Sequence, residues 1–206
     1  MTSIATAFAS DRAPCAQLPA RRAPKEFDHV RAPRRPRLHV RRAEAGDIPE
    51  LLRSAEAEIG AALASESAVT AIAAAHPDAL WVFLRDGRIV GGFAMLMLDE
   101  AGLAALLADR IDLRQPSTAL LARPGEAPAA IYVWAVLGRA LAAEGIATVI
   151  ERLQAPPYAS ADVFALPASV DGLRLMRSLG FRPMPGHGRG LHVYVRLANR
   201  SHSREV

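Results

Sequence analysis

A chain of 206 residues, 51% of them hydrophobic and 22% charged, has the length and apolar content for one substantial core and not for several. Its formal charge of +4 points toward nucleic acid only until the charge is located: residues 1–37 hold eight basic and three acidic groups, leaving 17 basic and 18 acidic in the remainder. The basicity therefore belongs to the tail, and the core is not expected to bind nucleic acid. Cys15 is the only cysteine, which excludes an intramolecular disulfide and a cysteine zinc site and fits a reducing cytoplasm.

Lys25 is the only lysine, so the positive charge is almost all arginine, a pattern that codon usage explains as well as surface design does. Arg85, Asp86 and Arg88 interrupt the apolar region 79–98, so no stretch reaches the ~20 apolar residues a bilayer span needs, and no membrane partner is expected. The apolar piece 4–9 has no basic residue before it, unlike a secretory leader.

In chain order, residues 1–36 carry Pro14, Pro19, Pro24, Pro33 and Pro36 among Ala and Arg without an apolar period. Such a segment cannot offset its ordering entropy by burial and is expected to be a disordered basic arm. Residues 38–43 alternate as a strand. Asp47 then serves as an N-cap with Pro49 in the first turn of a helix whose apolar positions are Leu51, Leu52, Ala55 and Ile59. A second helix covers 67–76 and stops at Pro77, with His76 expected as a partner of the helix dipole. Residues 80–84 and 89–98 form a hairpin across Asp86-Gly87, and Gly91-Gly92 predict a bulge or a close backbone approach.

Residues 99–128 combine a helical stretch, 101–108, with the breakers Gln115-Pro116-Ser117 and Pro124-Gly125. They form either an insertion over a pocket mouth or a surface excursion without a role. A β-branched and aromatic strand, 131–136, leads through a loop-like 137–144 into an apolar-periodic helix beginning at Gly145 and reaching Leu153. A strand running into a glycine-bearing helix start gathers free N–H groups and the positive end of the dipole, the makings of an anion site. A strand at 161–165, a helix at 169–179 closed by Gly180-Phe181, and a last strand at 191–197 follow; 199–206 is a polar tail. His187 and His192 lack carboxylate or cysteine company, so no metal is expected.

Three segments together resemble the GCN5-related N-acetyltransferase (GNAT) family. They are the opening strand, Ala45-Gly46-Asp47-Ile48-Pro49 and helix; the Arg85-Asp86-Gly87-Arg88-Ile89-Val90-Gly91-Gly92 hairpin; and the half from Ile131 to Phe181. In the last of these, 142–147 is similar to the family's pyrophosphate loop, Arg/Gln-x-x-Gly-x-Gly/Ala, with Ala142 in place of Arg or Gln. Residues 172–181 are similar to its Leu-Gly-Phe helix, with Met176 where Tyr is common. The resemblance implies an α/β fold over 37–198, a mixed and mostly antiparallel twisted sheet flanked by helices, with 131–136 and 161–165 as adjacent parallel strands.

It further implies an acyl-CoA-dependent N-acyltransferase, with acetyl-CoA or another acyl-CoA as co-substrate, a small-molecule or peptide amine as acceptor, and a homodimer as the assembly considered. The cofactor would run along Trp134, Ala135 and Val136, with its pyrophosphate on Ala142, Glu144, Gly145, Ile146 and Ala147, Arg139 as a charge partner and Met176 against it. Tyr132, Ser169 and Glu126 are the expected proton-transfer groups. Gly145 is expected either to approach the pyrophosphate from a loop edge outside the core, or to close a short helix, 140–144, as an ordinary cap. A GNAT-like binding or regulatory module without catalysis is the alternative, motivated by Ala142 and Met176.

Overall fold

The computed structural model describes residues 38–59, 64–138, 142–188 and 190–196. The arm, Arg139, the Ala142 side chain and the tail lie outside what is described. Among the described residues seven strands form one sheet: β1 (His39–Arg42), β2 (Leu80–Arg85), β3 (Arg88–Leu98), β4 (Ala130–Leu137), β5 (Asp162–Ala165), β6 (Arg182–Pro183) and β7 (His192–Tyr194). Their spatial order is β1-β2-β3-β4-β5-β7-β6, and every neighbouring pair is antiparallel except β4 with β5. The parallel pair needs a crossover, which α4 (Ala142–Leu153) supplies.

Alternation along the central strands separates two cores. Trp81, Phe83, Phe93, Met95 and Ile131 point to the face covered by Ile146, Val149 and Leu153 of α4. Leu80, Val82 and Ala94 point to the opposite face, beneath α1 (Ile48–Ile59) and α2 (Glu66–Ala75). Farther along that second face, Leu96, Leu98, Tyr132 and Phe164 pack with Ala105 and Leu106 of α3 (Glu100–Leu107). The helical stretch of 99–128 is thus part of the core and not a surface excursion. α5 (Val170–Ser178) buries no residue fully; Phe181 just beyond it packs into the α4-side core and lies 5.8 Å from the Tyr194 ring.

The hairpin turn forms as expected, with positive φ at both Asp86 and Gly87 (52° and 74°). The Gly91-Gly92 expectation is met on both counts. The β2–β3 register skips Val90, and a Cβ on Gly91 of β3 would stand 2.6 Å from the Leu137 carbonyl oxygen of β4, so β3 and β4 close tightly there. Asp47 differs from its expected role. It accepts from the Glu44 amide (2.7 Å) and pairs with Arg41 (2.6 Å), because a 3₁₀ turn (Ala45–Asp47) precedes α1.

A buried polar hub ties the layers together beside the start of β2. The Asp78 carboxylate accepts from Tyr158 Oη at 2.5 Å and Arg42 Nε at 2.7 Å, with Arg152 of α4 at 3.5 Å. Burial pushes this carboxyl up, but Tyr158 and the two guanidiniums outweigh burial and hold it below the usual range. His76 is fully buried, its Nδ1 accepting from the Asp78 amide at 3.3 Å. Burial lowers its pKa, so it is an uncharged acceptor and not the cationic dipole partner expected.

Candidate active site: a fork between β4 and β5

The parallel ladder of β4 and β5 begins at Ala130↔Asp162 and ends at Val133↔Ala165. β5 leaves at Leu166-Pro167, where proline withholds the next ladder donor. β4 continues alone: Ala135, Val136 and Leu137 pair with Ala94, Phe93 and Gly92 of β3 only. Trp134 is skipped by that register and forms a bulge at the mouth of the fork. The fork therefore offers backbone N–H and C=O groups of 134–137 on the side that β5 has abandoned, since successive peptide groups of a strand point to opposite edges.

A cavity of about 680 Å³ opens into this fork. Trp134, Ala135 and Leu137 form its β4 side, and Ala168, on the connection after β5, closes the other. Leu51, Leu52, Ala55 and Val69 line it from α1 and α2. The third wall is 109–114, from the region read as an insertion over a pocket mouth. Trp134 Nε1 donates to the Leu113 carbonyl at 3.0 Å, so the bulge residue itself holds that wall in place.

The expected cofactor residues divide. Trp134, Ala135 and Val136 lie on the open strand, the first two half-buried and Val136 exposed. Gly138, with φ 101°, turns the chain toward α4, and its amide donates to Glu58 Oε2 at 3.1 Å. α4 begins at Ala142, three residues before the expected start, because Ala142-Ala143-Glu144 are good helix formers. Glu144 and Ala147 are exposed on it and Ile146 is buried in the core beneath it.

The expectations for Gly145 require correction. It is helical and buried, outside the positive-φ set, and a Cβ there would meet the Phe83 ring at 2.6–2.7 Å. Neither the loop edge nor the cap of a short helix describes it. Its missing side chain is explained by the closeness of α4 to β2, and the amides left free at the helix start belong to 142–144.

Of the three expected proton-transfer groups, Tyr132 is buried in the α3-side core at 2% exposure. Glu126 is exposed in a turn before the N-terminal end of β4, whereas the fork opens beyond Val133. Ser169 follows Ala168 at the fork and caps α5, its Oγ accepting from the Gly172 amide at 3.0 Å. The structure thus does not bring the three together. Met176 is half-buried on α5.

A small second cavity, about 10 Å³, lies between Tyr132, Asp109, Leu166 and His187. His187 Nε2 is 3.3 Å from the Leu106 carbonyl, which makes Nε2 the protonated nitrogen. No signal in the sequence pointed to the 109–114 wall by residue, since its contribution depends on Trp134 reaching Leu113 across 21 positions. Among the described residues no group of three His, Cys, Asp or Glu is arranged to hold a metal, and no helix is long and apolar enough to cross a membrane.

No protein-family profile matches the chain, and no curated protein does. Solved structures do. The loading GNATL domain of CurA from Lyngbya majuscula aligns with a TM-score of 0.55 at 12% identity, covering 77% of this chain and 98% of that one. A GNAT family acetyltransferase from Staphylococcus aureus Mu50 aligns with a TM-score of 0.51 at 9% identity, covering 76% and 98%. The GNAT-like decarboxylase GphF, in complex with isobutyryl-CoA, aligns at 0.49 and 20% identity over 69% and 71%. With its mixed sheet, single parallel pair and flanking helices, this chain has the GNAT-like acyltransferase fold.

Proposed function

We propose that the chain is an acyl-CoA-dependent N-acyltransferase, using acetyl-CoA to acylate an amine. The observation that carries this reading is the fork: an unpaired strand edge at 134–137, with the Trp134 bulge at its mouth and a ligand-sized cavity opening into it. The shared fold with an S. aureus protein described as a GNAT family acetyltransferase supports it.

In this reading the free peptide groups of 134–137 hydrogen-bond the pantetheine arm, and one N–H among them holds the thioester carbonyl oxygen as charge develops on it. The amine nitrogen bonds to the carbonyl carbon, the carbon–sulfur bond breaks, the thiolate leaves as CoA, and the nitrogen gives up a proton. The first-turn amides 142–144 of α4 receive the pyrophosphate at the positive end of the helix, with Arg139 as its cationic partner and Met176 packing against the cofactor from α5. Ser169, next to Ala168 at the fork, is the hydroxyl retained as a proton-transfer group.

A second reading, a CoA-binding or regulatory module without catalysis, is favoured by two observations: the Ser169 hydroxyl accepts from the Gly172 amide, and Tyr132 is sunk in the core. Thiol release from acetyl-CoA across a panel of primary amines separates the two. Amine-dependent release above the hydrolysis rate supports the enzyme; binding of CoA without release supports the module; neither binding nor release ends both.

A further inference from the structure

Resting on that reading, we infer that the acceptor is a primary amine carrying an aliphatic or aromatic body, and that this body occupies the cavity between α1, α2 and the fork. The floor and roof are hydrocarbon: Leu51, Leu52, Ala55, Val69, Leu80 and Leu137. Among the described residues, ionisable groups enter the lining only through 109–114, as Asp109, Arg110, Asp112 and Arg114. Two of each sign leave no net field to select a polycation or a polyanion. Asp112 is partly engaged by its own segment, accepting from the Arg114 amide at 2.9 Å.

A volume of about 680 Å³ is within the range of sites that enclose whole small molecules. Each hydroxyl or ammonium placed among these leucines gives up water without a replacement partner, which disfavours sugars, polyamines and free amino acids. Each methylene gains instead, about fourfold in affinity per buried group.

The cavity suits the acceptor and not a long acyl chain because of its side of the sheet. On the α4 face of β2 the space under the helix is filled, Phe83 lying against Gly145. Open volume lies on the α1 and α2 face, and it reaches the reacting strand at Trp134, Ala135 and Leu137. A nucleophile must approach the thioester carbonyl perpendicular to its plane, and this is the face with room for one.

The test uses the full chain at saturating acetyl-CoA with methylamine, propylamine, hexylamine, phenethylamine, spermidine and glucosamine. Alongside it, hexylamine binding is measured by calorimetry. The expected result is a kcat/KM that rises about fourfold per methylene toward hexylamine, with spermidine and glucosamine at least a hundredfold lower. Hexanoyl-CoA is used no better than acetyl-CoA. Ala55→Phe fills the cavity and lowers hexylamine kcat/KM and affinity at least tenfold while acetyl-CoA affinity stays within twofold. Leu52→Trp, at a half-buried position, gives the same outcome if Ala55→Phe does not fold.

Transfer that favours the polar amines overturns the inference, as does an effect of the filling variants that follows acyl length. Absence of hexylamine binding also overturns it. Hexylamine binding that is lost in the variants, with no transfer to any amine, supports the cavity assignment and instead removes the catalytic reading on which it rests.

Discussion

Gly145 of α4 faces Phe83 of β2 so closely that a Cβ at 145 would stand 2.6 Å from Phe83 Cδ2. Phe83 is fully buried and surrounded by the α4-side core, so its ring cannot swing away without displacing neighbours. Gly145→Val is therefore a packing substitution, expected to cost about 1–3 kcal/mol and to lower Tm by roughly 2–10 °C. Affinity for acetyl-CoA per folded molecule should be unchanged. Phe83→Leu in the same chain should recover part of the loss, which thermal melts of the single and double variants would show. A tenfold loss of affinity at unchanged Tm would return Gly145 to the cofactor site.

Tyr158 and Asp78 form the tightest link between the β4–β5 crossover and the start of β2. Tyr158→Phe removes one charge-assisted bond and is expected to cost about 1.5–3 kcal/mol. Asp78→Ala leaves the buried Tyr158 hydroxyl without its acceptor where a carboxylate with 3% exposure stood, while Arg42 and Arg152, 49% and 39% exposed, regain water, and it is expected to cost about 1–3 kcal/mol. Urea unfolding of both, and of the double variant, should show that Tyr158→Phe adds little once Asp78 is gone.

The same hub sets a pH dependence. Burial depresses the His76 pKa, so the unfolded chain binds a proton near pH 6.5 that the folded chain refuses. That contribution to stability is fully present above pH 6.5 and is lost as pH falls toward the lower folded value. The depressed Asp78 adds a second loss, beginning only below about pH 4. Tm should therefore decline between pH 7 and 5, before carboxylates titrate. His76→Asn, whose Oδ1 can replace Nδ1 as acceptor for the Asp78 amide, should flatten the slope in that window and leave the fall below pH 4 in place.

Glu58 holds the Gly138 amide at 3.1 Å, at the turn that leads to the start of α4. In the proposed reading the pyrophosphate sits on the first-turn amides of α4, which follow Gly138 closely in sequence, and a carboxylate at Gly138 opposes its charge. Glu58→Gln keeps an acceptor for the amide and should tighten acetyl-CoA binding about two- to fivefold at low ionic strength, with the gain fading in about 1 M salt. An unchanged or weakened affinity at low salt would place the pyrophosphate elsewhere.

Elements whose local chemistry agrees with their tertiary setting were legible. The Asp86-Gly87 turn dictates its own dihedrals, and the β-branched and aromatic run at 131–136 marks β4. Gly145 was misread because a glycine that admits a ligand and one that admits a neighbouring ring look alike until the ring is placed. The Trp134 bulge and the departure of β5 are properties of pairing register, which no single strand encodes. Asp78 offered a faint signal, a carboxylate inside an apolar run after Pro77, but its partners are 36 and 80 residues away.

The central claim, that the fork between β4 and β5 holds an acyl-CoA, is tested most directly by calorimetry of acetyl-CoA titrated into the full chain. One site per chain with a Kd below about 100 µM, about −5.5 kcal/mol, and competition by free CoA is the predicted result. No binding at millimolar acetyl-CoA and millimolar CoA would contradict it.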